Sequence, residues 1–352
     1  MKFHIAINLE RLDPAINMVD IRDHTIEMVQ MADEAGFEVA WAAEHHALEM
    51  TIAPNPFNLM TWWADHTKNI RVGAGVANAA YWHPIKLAGE AALVDLLSGG
   101  RMEFGVGSGA YQREFDRMFP GLEQKDSWQY MQEMLPLVQK LWKGDVEHDG
   151  QFWKFPKATS CPKPMQKDVP IWVAARSPIT FDYAVENNCN IMSWPLTLPF
   201  SEAKKYRDML DDSKARLNPE YDGAFAMMRH TVVYDNDDDR HATLAAVRQI
   251  LARFGNLMMK SGDVVDGYPD PVPLETLEGN YRVDPQMLEE NLILGSPDQV
   301  IEKLRKYEGL GVDAFIYYAS MGLDMERQKQ SLRLFIDEVM PAFAQKEIAN
   351  AN

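Results

Sequence analysis

The stretch Val39-Ala40-Trp41-Ala42-Ala43-Glu44-His45-His46 decides how the chain is read. The apolar run from Val39 to Ala43 has the composition of a parallel strand covered on both faces. An acid and two histidines follow it at once. In α/β proteins the carboxyl ends of parallel strands are where ligands bind and chemistry is done. By itself the segment leaves two readings open: a catalytic strand end, or a surface hydrogen bond at a helix start. The flanking sequence has to choose between them.

Working outward, Phe3 to Leu9 alternates as a first strand, and Asp20 to Ala35 has helical spacing ending at Gly36, a good helix stop. Phe37 to Ala43 is the second strand and Phe57 to Ala64 a helix. Asn69 to Ala77 is the third strand. His83-Pro84 opens the next helix, with proline where its missing N–H costs nothing, and Ser98-Gly99-Gly100-Arg101 closes it. Met102 to Gly107 is the fourth strand, and Trp128 to Trp142 is helical. Val146 to Phe155 reads as a hairpin outside the main sheet, with Asp149-Gly150 as its turn. Strands follow at Val169 to Ala175, Cys189 to Trp194, Ala224 to Val233 and Gly311 to Tyr318. Their helices are Pro178 to Glu186, Ser201 to Arg216, Ala242 to Phe254 and Glu326 to Phe343.

Eight strand–helix units without a linker predict one α/β domain over residues 1–352, a (β/α)8 TIM barrel. A doubly wound sheet is the alternative, but no dinucleotide fingerprint follows the first strand. Residues 256–290, rich in proline, glycine and acid, read as an irregular lid insertion.

The 352 residues carry 35 basic and 52 acidic side chains, a formal net charge of −17. Such a chain is repelled by nucleic-acid phosphates and by anionic membrane surfaces, so neither is an expected partner. Two cysteines, Cys161 and Cys189, suit a reducing compartment. No export signal and no run of ~20 apolar residues is visible, so a cytoplasmic protein is expected.

In a barrel, Glu44, His45, His46, Asn78, Tyr81, Ser108, Arg176, Ser177 and Trp194 all fall at strand ends and converge on one mouth. Gly105-Val106-Gly107-Ser108-Gly109 would let a flat ring approach the backbone. Ala175-Arg176-Ser177-Pro178 reads as a capped helix start, with Thr180 in its first turn, and such a terminus binds anions. An ordinary capped helix remains the alternative. His24 and His66 read as helix-surface residues, His4 and His83 as packing. The adjacent His45 and His46 point apart on extended backbone, so no metal site is expected.

These residues, in order and spacing, resemble the bacterial luciferase-like flavin monooxygenases. The resemblance rests on Glu44-His45-His46, Asn55-Pro56, His83-Pro84, Leu96 to Arg101, Phe104 to Tyr111, Pro170 to Ser177, Ile191 to Trp194 and Phe335 to Pro341. It implies a (β/α)8 barrel, usually a homodimer. It also implies reduced FMN delivered by a separate NAD(P)H-dependent flavin reductase, and O2. A C4a-peroxyflavin would insert one oxygen into a small hydrophobic carbonyl or aromatic substrate. By resemblance His45 is the active-site histidine and Glu44 its support. Ser177 and Thr180 would hold the phosphate, and Trp194 would flank the isoalloxazine. Gly75-Val76 matches a non-proline cis peptide beneath the flavin, with Asn78, Gly107 and Ser108 around it.

The chain departs from the light-emitting pattern. Gly107 and Ser108 stand where those relatives have a reactive cysteine and a phosphate-binding arginine, and Arg176 stands where they have a glutamate. Arg176 is therefore expected to supply the missing phosphate charge. Two other readings are a deazaflavin-dependent hydride-transfer enzyme and a non-catalytic flavin-binding protein.

Overall fold

A computed structural model describes residues 1–259, 262–277 and 283–344. Its centre is a closed barrel of parallel strands: β1 (Lys2–Ala6), β2 (Val39–Ala42), β3 (Arg71–Ala74), β4 (Met102–Gly107), β5 (Ile171–Ala174), β6 (Asn190–Ser193), β7 (Phe225–Val233) and β8 (Ala314–Tyr318). They follow one another around the ring in chain order, and β8 pairs with β1 to close it. The outer layer contains α1 (Met18–Ala35), α2 (Pro56–Asp65), α3 (Pro84–Leu97), α5 (Trp128–Lys143), α6 (Pro178–Glu186), α7 (Phe200–Leu217), α11 (Pro297–Gly309) and α12 (Met325–Leu334). A further short helix, α4 (Gln112–Met118), follows β4. The expected hairpin is a separate antiparallel pair, Val146–Asp149 with Lys154–Ala158.

Local sequence explains where helices start. Asn55, with Pro56 behind it, caps α2 by accepting the amide of Phe57. His83 does the same for α3, accepting from Ile85 ahead of Pro84. An asparagine cap such as Asn55 is worth about 1 kcal/mol. Gly36 ends α1 at φ 84°, a conformation favouring glycine.

Strand alternation sorts the core into two layers. Outward residues such as Phe104, Val173, Met227 and Phe315 pack against the helices with Phe57 and Trp63. Inward residues Trp41, Trp172, Met192, Ala226 and Ile316 fill the barrel. Its amino end is closed by a polar plug. The Trp172 indole donates to Glu103 at 2.6 Å, Glu103 pairs with Arg71, and Trp41 donates to His4 at 3.2 Å.

Three sequence readings change. The third strand does not run unbroken: after β3 the Gly75–Val76 peptide is cis, and Ala77–Asn78 then pairs with the end of β4. His24 is not on the surface; it is buried and bonded to Gln328 at 3.0 Å. The helix read at Ala242 to Phe254 is longer, α8 (Asp237–Met259), and is not the outer-ring partner of β7. Ile250, Phe254 and Leu257 pack on Leu48, Met50 and Tyr111, so α8 lies over the loops after β2 and β4. The outer-ring position belongs to α11, whose Val300, Leu304 and Tyr307 join the main core. Between these helices come a hairpin (Val264–Val265 with Tyr268–Pro269), α9 (Leu274–Leu277) and α10 (Pro285–Asn291). A short strand, Ile293–Gly295, then pairs with the outer half of β7.

Gly105 is required by the close approach of β3 to β4. A Cβ there would sit 1.9 Å from the Ala74 carbonyl oxygen, which cannot move aside without breaking the sheet. Gly105→Ala is expected to lower stability by about 1–3 kcal/mol or more, as overpacked sites do. Thermal or urea unfolding checks this, and an unchanged midpoint would contradict it.

Candidate active site

At the carboxyl end of β2 the chain leaves the barrel through two buried carboxylates. Glu44 accepts the Asn78 amide at 2.6 Å and the Trp82 indole at 3.0 Å. It also meets His46 Nε2 at 2.8 Å. The Asn78 side chain returns a bond to the Glu44 carbonyl at 3.1 Å. Glu44 therefore fixes His46 and ties β2 to the segment after β3; it does not touch the His45 ring.

His45 has a different partner. Its Nδ1 lies 3.3 Å from both oxygens of Glu114, carried by α4. One of those oxygens also accepts the His46 amide at 2.7 Å. A single buried carboxylate thus holds one histidine by its ring and the next by its backbone. Burial opposes charging His45, but the Glu114 charge and hydrogen bond, helped by Glu44, outweigh it and raise the pKa above the ordinary histidine value. With Nδ1 turned to Glu114, Nε2 is the nitrogen left for a reacting group. The Tyr111 ring lies 5.5 Å from the imidazole. His45 also borders a cavity of about 290 Å³ shared with Leu48, Ile52, Pro54 and Gly267.

Beside this, β3 and β4 form a flat backbone floor. A Cβ at Gly107 would fall 2.5 Å from Val76 Cγ2, so glycine is what allows Gly75–Val76 to lie against β4. The Ser108 carbonyl accepts the Ser127 hydroxyl at 2.5 Å. Next around the ring, the loop after β5 begins α6. Thr180 Oγ1 accepts the amides of Arg176 and Ser177, each at 3.1 Å, which curls the backbone into a tight helix start. Arg176 is exposed, and its positive charge reaches the Tyr206 and Tyr111 hydroxyls. On the far side Trp194 packs against His230 and Tyr318, with ring centroids 5.4 Å away in both cases.

The barrel thus gathers the strand-end residues at one mouth. Glycine-permitted backbone, aromatic walls and a cationic helix start suit a flat ring bearing an anionic tail, as FMN is. Among the described residues no three His, Cys, Asp or Glu side chains form a metal cluster. No helix is long and apolar enough to cross a membrane among those residues. A second cleft, about 690 Å³, lies between α8, α10 and α11. Its Arg240 is paired with Glu289 and its Lys303 with the Leu292 and Leu294 carbonyls, so it is not where the chemistry gathers.

Sequence reasoning missed Glu114. It lies 69 residues from His45. Its one local signal was an acid beside Phe115 just after the fourth strand's glycines. Of the nearby aromatics, Trp82 serves Glu44 and Trp41 lies deeper, over Gly73.

Comparison with known proteins agrees with this arrangement. The family described as luciferase-like monooxygenase matches residues 1–314. The flavin-dependent trigonelline monooxygenase oxygenase component of Acinetobacter baylyi is 37% identical over 99% of this chain and 97% of its own length. Among solved structures, a monooxygenase from Streptomyces bottropensis superposes with a TM-score of 0.81 at 21% identity, covering 97% of this chain and all of that one. The oxygenating constituent of 3,6-diketocamphane monooxygenase from Pseudomonas putida, in complex with FMN, gives 0.72 at 21% identity, covering 97% and 98%. The chain belongs to the luciferase-like monooxygenase family and is a flavin-dependent monooxygenase.

Proposed function

We propose that this protein is the oxygenase half of a two-component system acting on a small aromatic substrate, with His45 as its acid–base group. It uses reduced FMN and O2, which together supply the oxygen atom to be inserted. The single observation that carries the His45 role is its clamp: a buried carboxylate holds Nδ1 and raises the ring's pKa, at the mouth where the flat-ring bed lies. A protonated imidazole can give a proton from Nε2 and take it back. The aromatic walls and α8 exclude water. Arg176, Ser177 and Thr180 hold the anionic tail at the start of α6, with Gly75, Val76, Asn78, Gly107 and Ser108 beneath the ring and Trp194 beside it. Glu44 keeps His46 and the Asn78 segment in register. The described parts of the 256–290 insertion, residues 256–259, 262–277 and 283–290, act as part of the lid; its residues 260–261 and 278–282 lie outside the described residues.

The relative from Acinetobacter is named as an oxygenase component, which supports a separate reductase here. Its named substrate, trigonelline, is a methylated pyridinium carboxylate, and the flat ring of that class fits a mouth with aromatic walls. The homodimer would form through α3, where Leu93, Leu96 and Leu97 are 41%, 46% and 58% exposed on a helix that is apolar on its other face. On α2, by contrast, Trp63 is fully buried and offers no such surface.

With reduced FMN and oxygen the protein is expected to oxidise trigonelline or a close pyridine carboxylate. His45→Ala should lower kcat by about 10²-fold or more while FMN affinity stays. Product analysis by mass spectrometry checks both, and full turnover by His45→Ala would sink the assignment. Arg176→Ala should weaken FMN binding about tenfold or more, the scale of a lost charged hydrogen bond; unchanged affinity in a fluorescence titration would refute the charge transfer to Arg176. Replacing Leu96 and Leu97 together by Glu should turn a dimer into a monomer in light scattering, and a wild-type monomer would end the dimer proposal.

A further inference from the structure

The carboxyl ends of β6, β7 and β8 carry an inward layer that the reading above leaves mostly unused. Trp194 stands just beyond β6, Tyr318 ends β8 and His230 pairs with it on β7, above Met192, Met228 and Ile316. The His230 and Tyr318 rings lie 4.7 Å apart, and both meet Trp194. The neighbouring Arg229 faces outward. It donates to the Tyr307 hydroxyl at 2.7 Å and to the carbonyls of Leu196 and Leu198 at 3.0 and 2.8 Å.

The layer is rich in unspent hydrogen-bonding capacity. His230 is 2% exposed, yet its Nδ1 has no partner among the described residues, and neither has the buried Nε1 of Trp194. The Tyr318 hydroxyl accepts from Asn8 Nδ2 at 3.1 Å, which leaves its own proton for another acceptor. A buried polar group left unpaired costs about 1–3 kcal/mol, so two unpaired atoms on one wall mark a surface meant for a ligand. Burial, with Arg229 adding to it, pushes His230 down to about 3, so the imidazole is neutral at working pH. The indole can only donate, the phenol keeps its proton to donate, and the imidazole has one N–H. Donors therefore outnumber acceptors. Tyr111, beside the histidine clamp, lies with its ring centroid 5.5 Å from that of His45.

We propose that His230 and Tyr318, with Trp194 beside them, form the pole of the mouth that binds the carboxylate or carbonyl oxygen of an aromatic substrate. The proposal rests on the oxygenase reading above, and it makes His230 and Tyr318 specificity residues for that reaction. Asn8 is a positioning residue that orients the Tyr318 hydroxyl.

Calorimetric titration of the whole protein, with and without FMN, tests it with nicotinate, trigonelline and N-methylpyridinium, the last lacking a carboxylate. The wild type should bind the two carboxylates about tenfold or more tighter than N-methylpyridinium, the scale of one hydrogen bond to a charged group. His230→Phe and Tyr318→Phe should each erase most of that preference while leaving FMN affinity unchanged. No preference in the wild type, or a preference surviving in both variants, overturns the proposal. So does a loss of FMN affinity in place of the preference, since the wall would then belong to the cofactor. Binding is read apart from oxidation. A preserved preference without turnover therefore counts against the substrate class proposed above and leaves the pole standing.

Discussion

One buried carboxylate organises the functional end of this barrel. Glu114 takes the His45 ring and the His46 amide at once, and everything around it follows from the need to keep a charge in an apolar mouth. Burying a carboxylate is tolerable only with donors around it, and the adjacent histidines provide them. The consequence for chemistry is direct. A negative group against Nδ1 keeps the imidazole protonated more readily than burial alone would allow, and it fixes which nitrogen faces a reactant.

The second carboxylate, Glu44, does separate work. It gathers Asn78, Trp82 and His46 and so locks the end of β2 to the segment after β3. That segment is the Gly75–Val76 floor, which reaches β4 only because Gly105 and Gly107 leave room. The two acids thus hold the two halves of the proposed site, the His45 imidazole and the backbone bed beside it. The opposite wall, from β6 to β8, turns the rings of Trp194, His230 and Tyr318 toward one another at the mouth, while Arg229 faces outward.

Much of this was legible in the sequence where local chemistry was strong. Met102–Gly107 and Pro178–Glu186 have the bounds that their glycines and their Ser-Pro cap predict. The (β/α)8 architecture followed from the alternation of apolar strands and amphipathic helices. The crossover from β7 to β8 did not. Asp237–Met259 has helical spacing, as an outer-ring helix would, and nothing local says that it packs over the mouth and not beside the barrel. The helix that fills the ring, Pro297–Gly309, lay beyond it unread, although Ser296 and Gln299 form a capping box at its start. Glu44 was visible because it adjoins the histidines. Glu114 was not, because its pairing with His45 exists only once β2 and the segment after β4 meet at one mouth. His230 was hidden for the same reason: on β7 alone it is one polar residue in a strand, and its meaning comes from Trp194 and Tyr318 on neighbouring strands.

The central claim is that Glu114 sets the protonation state of His45, and the most direct measurement is the His45 titration itself. NMR of histidine-labelled protein should place the His45 pKa above the ordinary value in the wild type. In Glu114→Gln it should fall, because the raising charge is lost while the desolvation that lowers it remains. A His45 that titrates at or below the ordinary value in the wild type, or whose pKa is unmoved by Glu114→Gln, would contradict the account.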